Sequence, residues 1–144
     1  MHQDTQTLID GLNEDLAGEY GAVIQYTYAA AVVTGFSRQI LKDFFEEEIP
    51  DESGHALYLA EKIRTLGGIP TTEPAKIEQL TDIKDILQAI LKAEEDTIAR
   101  YTKRIEQAEK VGDIGLKVQL EDMIADETGH KEEVQRLLQD PRLQ

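Results

Sequence analysis

Apolar residues recur at spacings of three and four in four long segments of the chain, which is the period of an amphipathic α-helix. The first segment carries them in one stripe, and positions 75 residues later repeat that stripe in the third segment. The second and fourth segments are related in the same way, as Leu41 and Phe45 correspond to Leu116 and Leu120. The pattern predicts an all-α fold built from two copies of one helical hairpin.

Glycines and capping residues mark the turn inside each hairpin. Gly35 and Ser37 separate the first two segments, and we expect Ser37 to be the N-cap of the second. Gly112 and Asp113 occupy the equivalent place between the last two segments. Both positions predict tight antiparallel turns.

A longer connection joins the hairpins, which we place over about residues 5–66 and 81–139. Residues 67–80 between them begin with two glycines and contain two prolines. Fully extended, such a segment spans roughly 46 Å, about the length of a helix of 30 residues. Because an up-down-up-down bundle needs no such link, we predict a single domain over residues 1–144, folded as an up-down-down-up four-helix bundle with one long crossover.

Two five-residue motifs, 51–55 (Asp-Glu-Ser-Gly-His) and 126–130 (Asp-Glu-Thr-Gly-His), hold two of the three histidines of the chain. A further glutamate precedes the glutamate of each motif by 33 residues and interrupts an apolar stripe at the same place in each half. These two are Glu19 and Glu94. The duplication therefore pairs four carboxylates and two imidazoles.

Residues i and i+3 of a helix share one face, so each motif directs a carboxylate and an imidazole at one point. Four carboxylates buried together repel one another, and two divalent cations would neutralise them. Oxygen and imidazole ligands suit iron or manganese and are compatible with zinc, and their spacing does not rank these metals. The candidate ligands are Glu19, Glu52, His55, Glu94, Glu127 and His130.

Other residues repeat beside these candidates. Tyr26 and Tyr101 each follow the first glutamate of their half by seven residues. They are either plain core aromatics or take part in the chemistry as hydrogen-bond donors or radical-handling side chains. Asp51 and Asp126 are expected to accept the second imidazole N–H, without an assignment of which aspartate serves which histidine.

Several residues near the motifs lead to structural expectations. Gly54 and Gly129 each cost about 1 kcal/mol in a helix, so we expect a close approach by a neighbouring side chain or a ligand there. Pro50 predicts a kink in the second helix. Residues 46–48, three glutamates, are expected either on a solvated face or as an auxiliary path for cations, and His2 at a frayed terminus.

Composition restricts the chemistry further. The chain has no cysteine, which excludes thiolate-bound zinc, iron–sulfur clusters and disulfides. Its formal net charge of −14 disfavours nucleic acid as a partner. No apolar run approaches the roughly 20 residues of a membrane span, and no signal peptide is evident, so we expect a cytoplasmic protein without membrane contact.

Over about residues 8–138, the six candidate ligands and their spacing resemble the ligand set of ferritin-like diiron carboxylate proteins, bacterioferritins above all. The resemblance implies two iron ions per chain. It implies Glu19 and Glu94 as terminal ligands and one histidine per metal. Glu52 and Glu127 would be the bridging ligands.

The chain departs from the bacterioferritin pattern in two places. Ser53 stands where bacterioferritins carry a haem-ligating methionine, so haem is not expected. Asp140 and Pro141 end the fourth helix near the end of the sequence, which leaves no room for the short fifth helix of 24-subunit cages. We therefore expect a smaller assembly or a shortened chain.

The resemblance implies ferroxidase activity: oxidation of Fe(II) by dioxygen or hydrogen peroxide and storage or detoxification of Fe(III) inside a homo-oligomeric shell. One alternative is a diiron or dimanganese oxidoreductase that consumes peroxide or oxidises a small substrate and stores nothing. Another is a binding module, either a Dps-like DNA-protecting shell or a cargo protein docked on a partner.

Overall fold

Four α-helices account for most of the chain in a computed structural model, which describes residues 2–144. A one-turn 3-10 helix at Pro141–Leu143 follows the last of them. The prediction of an all-α fold is confirmed. The helices are α1 (Gln3–Val32), α2 (Arg38–Thr65), α3 (Ile83–Val111) and α4 (Ile114–Leu138).

The direction of each helix follows from its contacts. Later positions along α1 meet earlier positions along α3, because Asp15 contacts Arg104 whereas Tyr26 contacts Glu94. α1 is thus antiparallel to α3, and the short turn makes it antiparallel to α2 as well. α2 and α3 are consequently parallel, and the predicted up-down-down-up order is confirmed.

The crossover between α2 and α3 lies along α1 and is fixed to it by hydrogen bonds. The Ala75 N–H donates to the Ala17 carbonyl over 2.9 Å. Further along, the Tyr28 hydroxyl donates to the Leu80 carbonyl over 2.7 Å. The crossover therefore covers part of the α1 surface at the height of the two sequence motifs.

The core consists of two apolar clusters separated by a polar layer. One cluster includes Leu12, Leu59 and Leu116, and the other includes Phe45 and Ile90, all of them at most 1% exposed. In every helix the candidate ligands fall between the residues of the two clusters. The duplicated motifs are therefore placed in the middle of the bundle.

Capping differs from prediction at two helix starts. Ser37 occupies the N-cap position of α2, but its side chain makes no capping hydrogen bond. Asp113, the N-cap residue of α4, does make a capping hydrogen bond, since its Oδ1 accepts from the Leu116 N–H over 3.0 Å. The prediction of a frayed terminus at His2 is wrong, because its Nδ1 accepts from the Asp4 N–H over 3.2 Å and caps α1.

Two other local expectations have different outcomes. A close approach by a side chain at Gly54 and Gly129 is wrong: a Cβ added at either would meet no atom within 4 Å in the described part of the chain. An approach by a ligand at these glycines stays a prediction. α2 continues through Pro50, and the kink there stays a prediction. None of the helices within residues 2–144 combines the length and the apolar character that a bilayer span requires.

Candidate metal centre

The structure brings all six candidate ligands together in the polar layer between the two apolar clusters. The four glutamates are between 1% and 3% exposed, which is unusual for carboxylates unless they are paired. The two imidazoles are 11% and 13% exposed. Each helix contributes to the layer, α1 and α3 with one glutamate each and α2 and α4 with a Glu-His pair each.

Three glutamates surround the Nδ1 atom of His55. Glu127 Oε1 lies 3.5 Å from it, Glu19 Oε1 3.7 Å and Glu52 Oε1 4.0 Å. These four side chains come from α1, α2 and α4, and one donor atom of each lies within 4.8 Å of the others. One cation placed among them would be within reach of all four.

A matching arrangement surrounds the Nδ1 atom of His130. Glu52 Oε1 lies 3.6 Å away, Glu94 Oε2 3.8 Å and Glu127 Oε2 4.0 Å. Glu52 and Glu127 therefore lie near both imidazoles, whereas Glu94 lies near His130 alone. This division has the arrangement expected of two bridging and two terminal carboxylates.

One buried atom on each of the six side chains has no hydrogen-bond partner among residues 2–144. Buried polar atoms left in this way cost free energy unless something satisfies them. Six such atoms on carboxylates and imidazoles fit a pair of cations, which removes both the unpaired groups and the repulsion between them. They are Glu19 Oε2, Glu52 Oε1, His55 Nδ1, Glu94 Oε1, Glu127 Oε1 and His130 Nδ1.

Tyr26 and Tyr101 contact the two outer glutamates. The Tyr26 hydroxyl donates to Glu94 Oε2 over 2.9 Å, and the Tyr101 hydroxyl donates to Glu19 Oε1. Burial, followed by the neighbouring carboxylates, raises the pKa of both phenols well above the usual value. Both therefore stay protonated and act as donors, each linking α1 to α3.

The outward Nε2 atoms of the imidazoles face carboxylates from the opposite motif. His55 Nε2 lies 3.2 Å from Asp126 Oδ2. His130 Nε2 lies 3.5 Å from Asp51 Oδ2 and only 2.5 Å from Glu48 Oε2. The aspartates thus lie against the histidine of the other hairpin.

Glu48 corrects the prediction of a fully solvated acidic run at 46–48. Its side chain is buried, whereas its neighbours Glu46 and Glu47 are exposed. The sequence held a signal for this: Glu48 lies three residues after Phe45, on the stripe of α2 that faces the core. A carboxylate in that stripe needed a buried partner, and His130 is that partner.

The carboxylates keep both imidazoles protonated in the metal-free centre. Burial alone would lower the pKa of His55, but the nearby carboxylates of Glu127 and Glu19 outweigh it and raise the pKa to about 10. For His130, burial is likewise outweighed by the adjacent Glu48 carboxylate, and the pKa rises to about 9. A metal must therefore displace protons to reach either nitrogen.

Three of the buried glutamates have shifted pKa values. Burial, then the negative charges of Glu19 and Glu127, raises the pKa of Glu52 strongly. Burial is also the main reason why the pKa of Glu94 rises to about 8. The pKa of Glu127 is lowered, because the nearby His55 imidazole outweighs the effect of burial.

A cavity of about 340 Å³ opens between α1, α3 and the crossover and ends at the centre. Its inner end is formed by Tyr26 and three of the candidate ligands, Glu52, Glu94 and Glu127. Arg100 lines it nearer the surface. This cavity gives small molecules a route from solvent to the carboxylates.

A buried ion pair beside the centre was missed by sequence reasoning. Asp15 is fully buried, and it accepts from Arg104 Nε over 2.8 Å and from Arg104 Nη2 over 3.2 Å. Burial raises the pKa of Asp15, and Arg104 opposes that rise. The counterparts 75 positions away are apolar, Ile90 and Ala29, so the duplication does not extend to this pair.

Comparison with known proteins gives a consistent result. Residues 9–143 match the family described as Ferritin-like domain. Bacterioferritin from Brucella melitensis biotype 1 is 35% identical to this chain over 128 residues, which are 85% of this chain and 77% of that protein. A nutrient stress-induced DNA-binding protein from Synechococcus sp. is 27% identical, over 83% of this chain and 74% of that protein.

A solved structure is more similar still. It is a crystal structure of ferritin-like diiron-carboxylate proteins from Bacillus anthracis str. Ames, with 58% sequence identity and a TM-score of 0.94. The match covers 96% of this chain and 99% of that one. The four-helix architecture is therefore shared along nearly the whole length of both chains.

Proposed function

This chain belongs to the ferritin-like family, and from that premise we propose that it is a ferroxidase. In this proposal it binds two Fe(II) ions in the polar layer of the bundle and oxidises them with dioxygen or hydrogen peroxide. Fe(III) is then stored or detoxified in a homo-oligomeric shell. Haem has no part in the proposal, because Ser53 offers no thioether for haem iron.

The observation that carries the proposal is the set of six unpartnered buried atoms, one on each candidate ligand. A core that needed only apolar packing would gain nothing from four buried glutamates. Two Fe(II) ions carry four positive charges and would balance the four carboxylates in their ionised forms. The charge and the donor types thus fit two divalent ions of the iron or manganese class.

We assign the residues roles by their distances. Glu52 and Glu127, which lie near both imidazoles, would bridge the two ions. His55 and Glu19 would hold one ion. His130 and Glu94, the matching pair from the second hairpin, would hold the other. Bound iron supplies the electrons for reduction of the oxidant.

Around the ions, the protein positions ligands and manages protons. Tyr26 and Tyr101 hold the outer glutamates by hydrogen bonds and stay protonated. Asp126 and Glu48 fix the imidazole rings so that Nδ1 faces the centre. The layers of apolar residues above and below limit access of water.

The test is an anaerobic Fe(II) titration followed by rapid mixing with dioxygen. The wild-type chain should bind two ions and oxidise them in a fast phase. His130→Ala should lose that phase without losing helix content measured by circular dichroism. His2→Ala is the matched control and should behave like the wild type; equal oxidation rates in all three proteins would refute the proposal.

The cavity favours a second candidate function, a non-storage oxidoreductase that consumes peroxide or oxidises a small molecule. At about 340 Å³ it falls in the size range of small-molecule sites and exceeds the needs of dioxygen alone. Size-exclusion chromatography with light scattering, before and after aerobic iron loading, separates the two functions. A large particle that retains iron supports storage; peroxide turnover without iron retention supports the second candidate.

A Dps-like role is the third candidate and has one observation in its favour, the similarity to a nutrient stress-induced DNA-binding protein. The net charge of −14 opposes contact with a phosphate backbone. We therefore leave DNA out of the proposed function. Salt-sensitive retention of the assembled protein on DNA would reverse that choice.

A further inference from the structure

Arg100 of α3 lines the cavity with hydrogen-bonding capacity to spare. Its Nη2 donates to Thr97 Oγ1 over 3.1 Å, and its Nε lies 3.4 Å from Asp15 Oδ1. The Nε atom is buried and has no hydrogen-bond partner within residues 2–144, although the side chain as a whole is 29% exposed. Because the guanidinium has five N–H donors and lines the cavity, the donors not directed at Thr97 or Asp15 are available to a molecule there.

The charge of Arg100 is not needed to neutralise Asp15. Arg104 already donates two hydrogen bonds to the Asp15 carboxylate. One carboxylate thus faces two guanidinium groups, which leaves one positive charge beside the cavity. Apart from the three candidate ligands at the inner end, the remaining charged residues of the lining are balanced by sign: Lys92 with Asp96, whose closest atoms lie 3.2 Å apart, and one further lysine with one further glutamate.

The position of Arg100 depends on a glycine that the second hairpin lacks. A Cβ added at Gly18 would lie 2.2 Å from Arg100 Nη2, so only glycine lets the guanidinium rest against α1. The counterparts 75 positions away are Ala93 for Gly18 and Gln25 for Arg100, and both also line the cavity. The cavity therefore has a guanidinium on one side only.

We propose that Arg100 binds a small planar monoanion, a carboxylate or bicarbonate, in the cavity next to the metal centre. A guanidinium fork matches such an anion by paired hydrogen bonds. The inference rests on the proposed function, because three candidate ligands at the inner end of the cavity are glutamates that repel an anion until cations neutralise them. Anion binding should therefore require the metals, and by linkage the anion should tighten metal binding.

The experiment uses the full chain loaded with Co(II), whose visible spectrum reports changes at the centre, and titrates it with acetate. The wild type should show a saturable change, and Arg100→Gln should bind acetate about ten-fold more weakly. Arg100→Lys should recover part of the affinity. Arg136→Gln, the same substitution on the exposed end of α4, is the matched control and should bind like the wild type.

The outcomes separate this inference from the proposed function. Two Co(II) bound by both the wild type and Arg100→Gln, with equal acetate affinity, would overturn the anion site alone. Failure of the wild type to bind Co(II), Mn(II) or Fe(II) would overturn both proposals. A parallel bicarbonate titration distinguishes the sources: the anion that binds more tightly is assigned as the occupant.

Discussion

Tyr26 of α1 donates a hydrogen bond to Glu94 of α3 across the centre of the bundle, with 2.9 Å between the hydroxyl and Oε2. Tyr101 of α3 makes the reciprocal contact with Glu19 of α1. Each tyrosine therefore reaches the outer glutamate of the other hairpin. The two halves of the duplication are interlocked at the candidate metal centre, and neither half holds its own glutamate in place.

Loss of the Tyr26 hydroxyl should weaken metal binding at the position served by Glu94 and His130. Burial raises the pKa of Glu94 to about 8, while the hydrogen bond from Tyr26 opposes the rise. In Tyr26→Phe that pKa should increase further, so more of the carboxyl is protonated at neutral pH. We expect one of the two Co(II) ions to bind about ten-fold more weakly at pH 7, with a smaller deficit as the pH rises.

Tyr28→Phe is the control for this variant. Tyr28 also donates one hydrogen bond, but to the Leu80 carbonyl in the crossover. Its loss should reduce stability slightly and leave both binding constants unchanged. Equal Co(II) affinities in Tyr26→Phe and the wild type would show that the hydrogen bond does not tune Glu94.

Metal binding should release protons at neutral pH. The pKa values of about 10 for His55, about 9 for His130 and about 8 for Glu94, and the strongly raised pKa of Glu52, place a proton on each of these groups in the metal-free protein at pH 7. Ligands bind in their deprotonated forms, so filling the centre should release on the order of four protons. Affinity should accordingly rise with pH from neutrality to about 10, well above the range of an ordinary imidazole.

Calorimetric titration with Mn(II) in buffers of different ionisation enthalpy measures this release. His130→Ala should release about one proton fewer, which assigns part of the total to that ring. An affinity that stays constant between about pH 7.5 and 9 would contradict the raised pKa values, since an imidazole with the ordinary pKa near 6.5 is already neutral over that range.

The main elements of the site were predictable from sequence because the duplication made them visible. A motif that occurs twice, with a third glutamate at the same separation in each half, is improbable as a feature of the surface alone. The crossover length then fixed the helix order, and that order brings Glu19, His55 and Glu94 to one height. Periodicity and repetition can both be recognised in the sequence without knowledge of any contact.

The residues that sequence reasoning missed depend on contacts between distant positions. Asp15 and Arg104 are 89 positions apart, and neither has a polar counterpart in the other half. Glu48 was hidden in an acidic run, although its place on the core-facing stripe distinguished it from Glu47. The burial of such a charged residue can be explained only when its partner is known. That partner lies far away in the sequence and becomes a neighbour only in the folded bundle.

Removal of the Glu48 charge should lower the affinity of the centre for one of the two metal ions. Its Oε2 lies 2.5 Å from His130 Nε2, the outward nitrogen. This contact orients the imidazole ring and increases electron donation from the ring to a bound metal ion. Glu48→Gln should reduce affinity for one of the two ions by about 10- to 100-fold in an anaerobic Mn(II) titration. Glu47→Gln removes the same charge from an exposed neighbour, and a loss of equal size there would attribute the effect to net charge.

Gly54 and Gly11 both lie inside helices, but their replacement by alanine should change the free energy of unfolding in opposite directions. A Cβ at Gly54 meets no atom within 4 Å in the described chain, so Gly54→Ala should raise the free energy of unfolding by about 1 kcal/mol through helix propensity. A Cβ at Gly11 would lie 1.9 Å from Arg104 Nη1. Because that guanidinium is held by the buried Asp15, Gly11→Ala should displace it and lower the free energy of unfolding by about 2 kcal/mol despite the same propensity gain. Urea unfolding of the metal-free proteins measures both changes, and stabilisation by both substitutions would show that Arg104 can leave Asp15 at little cost.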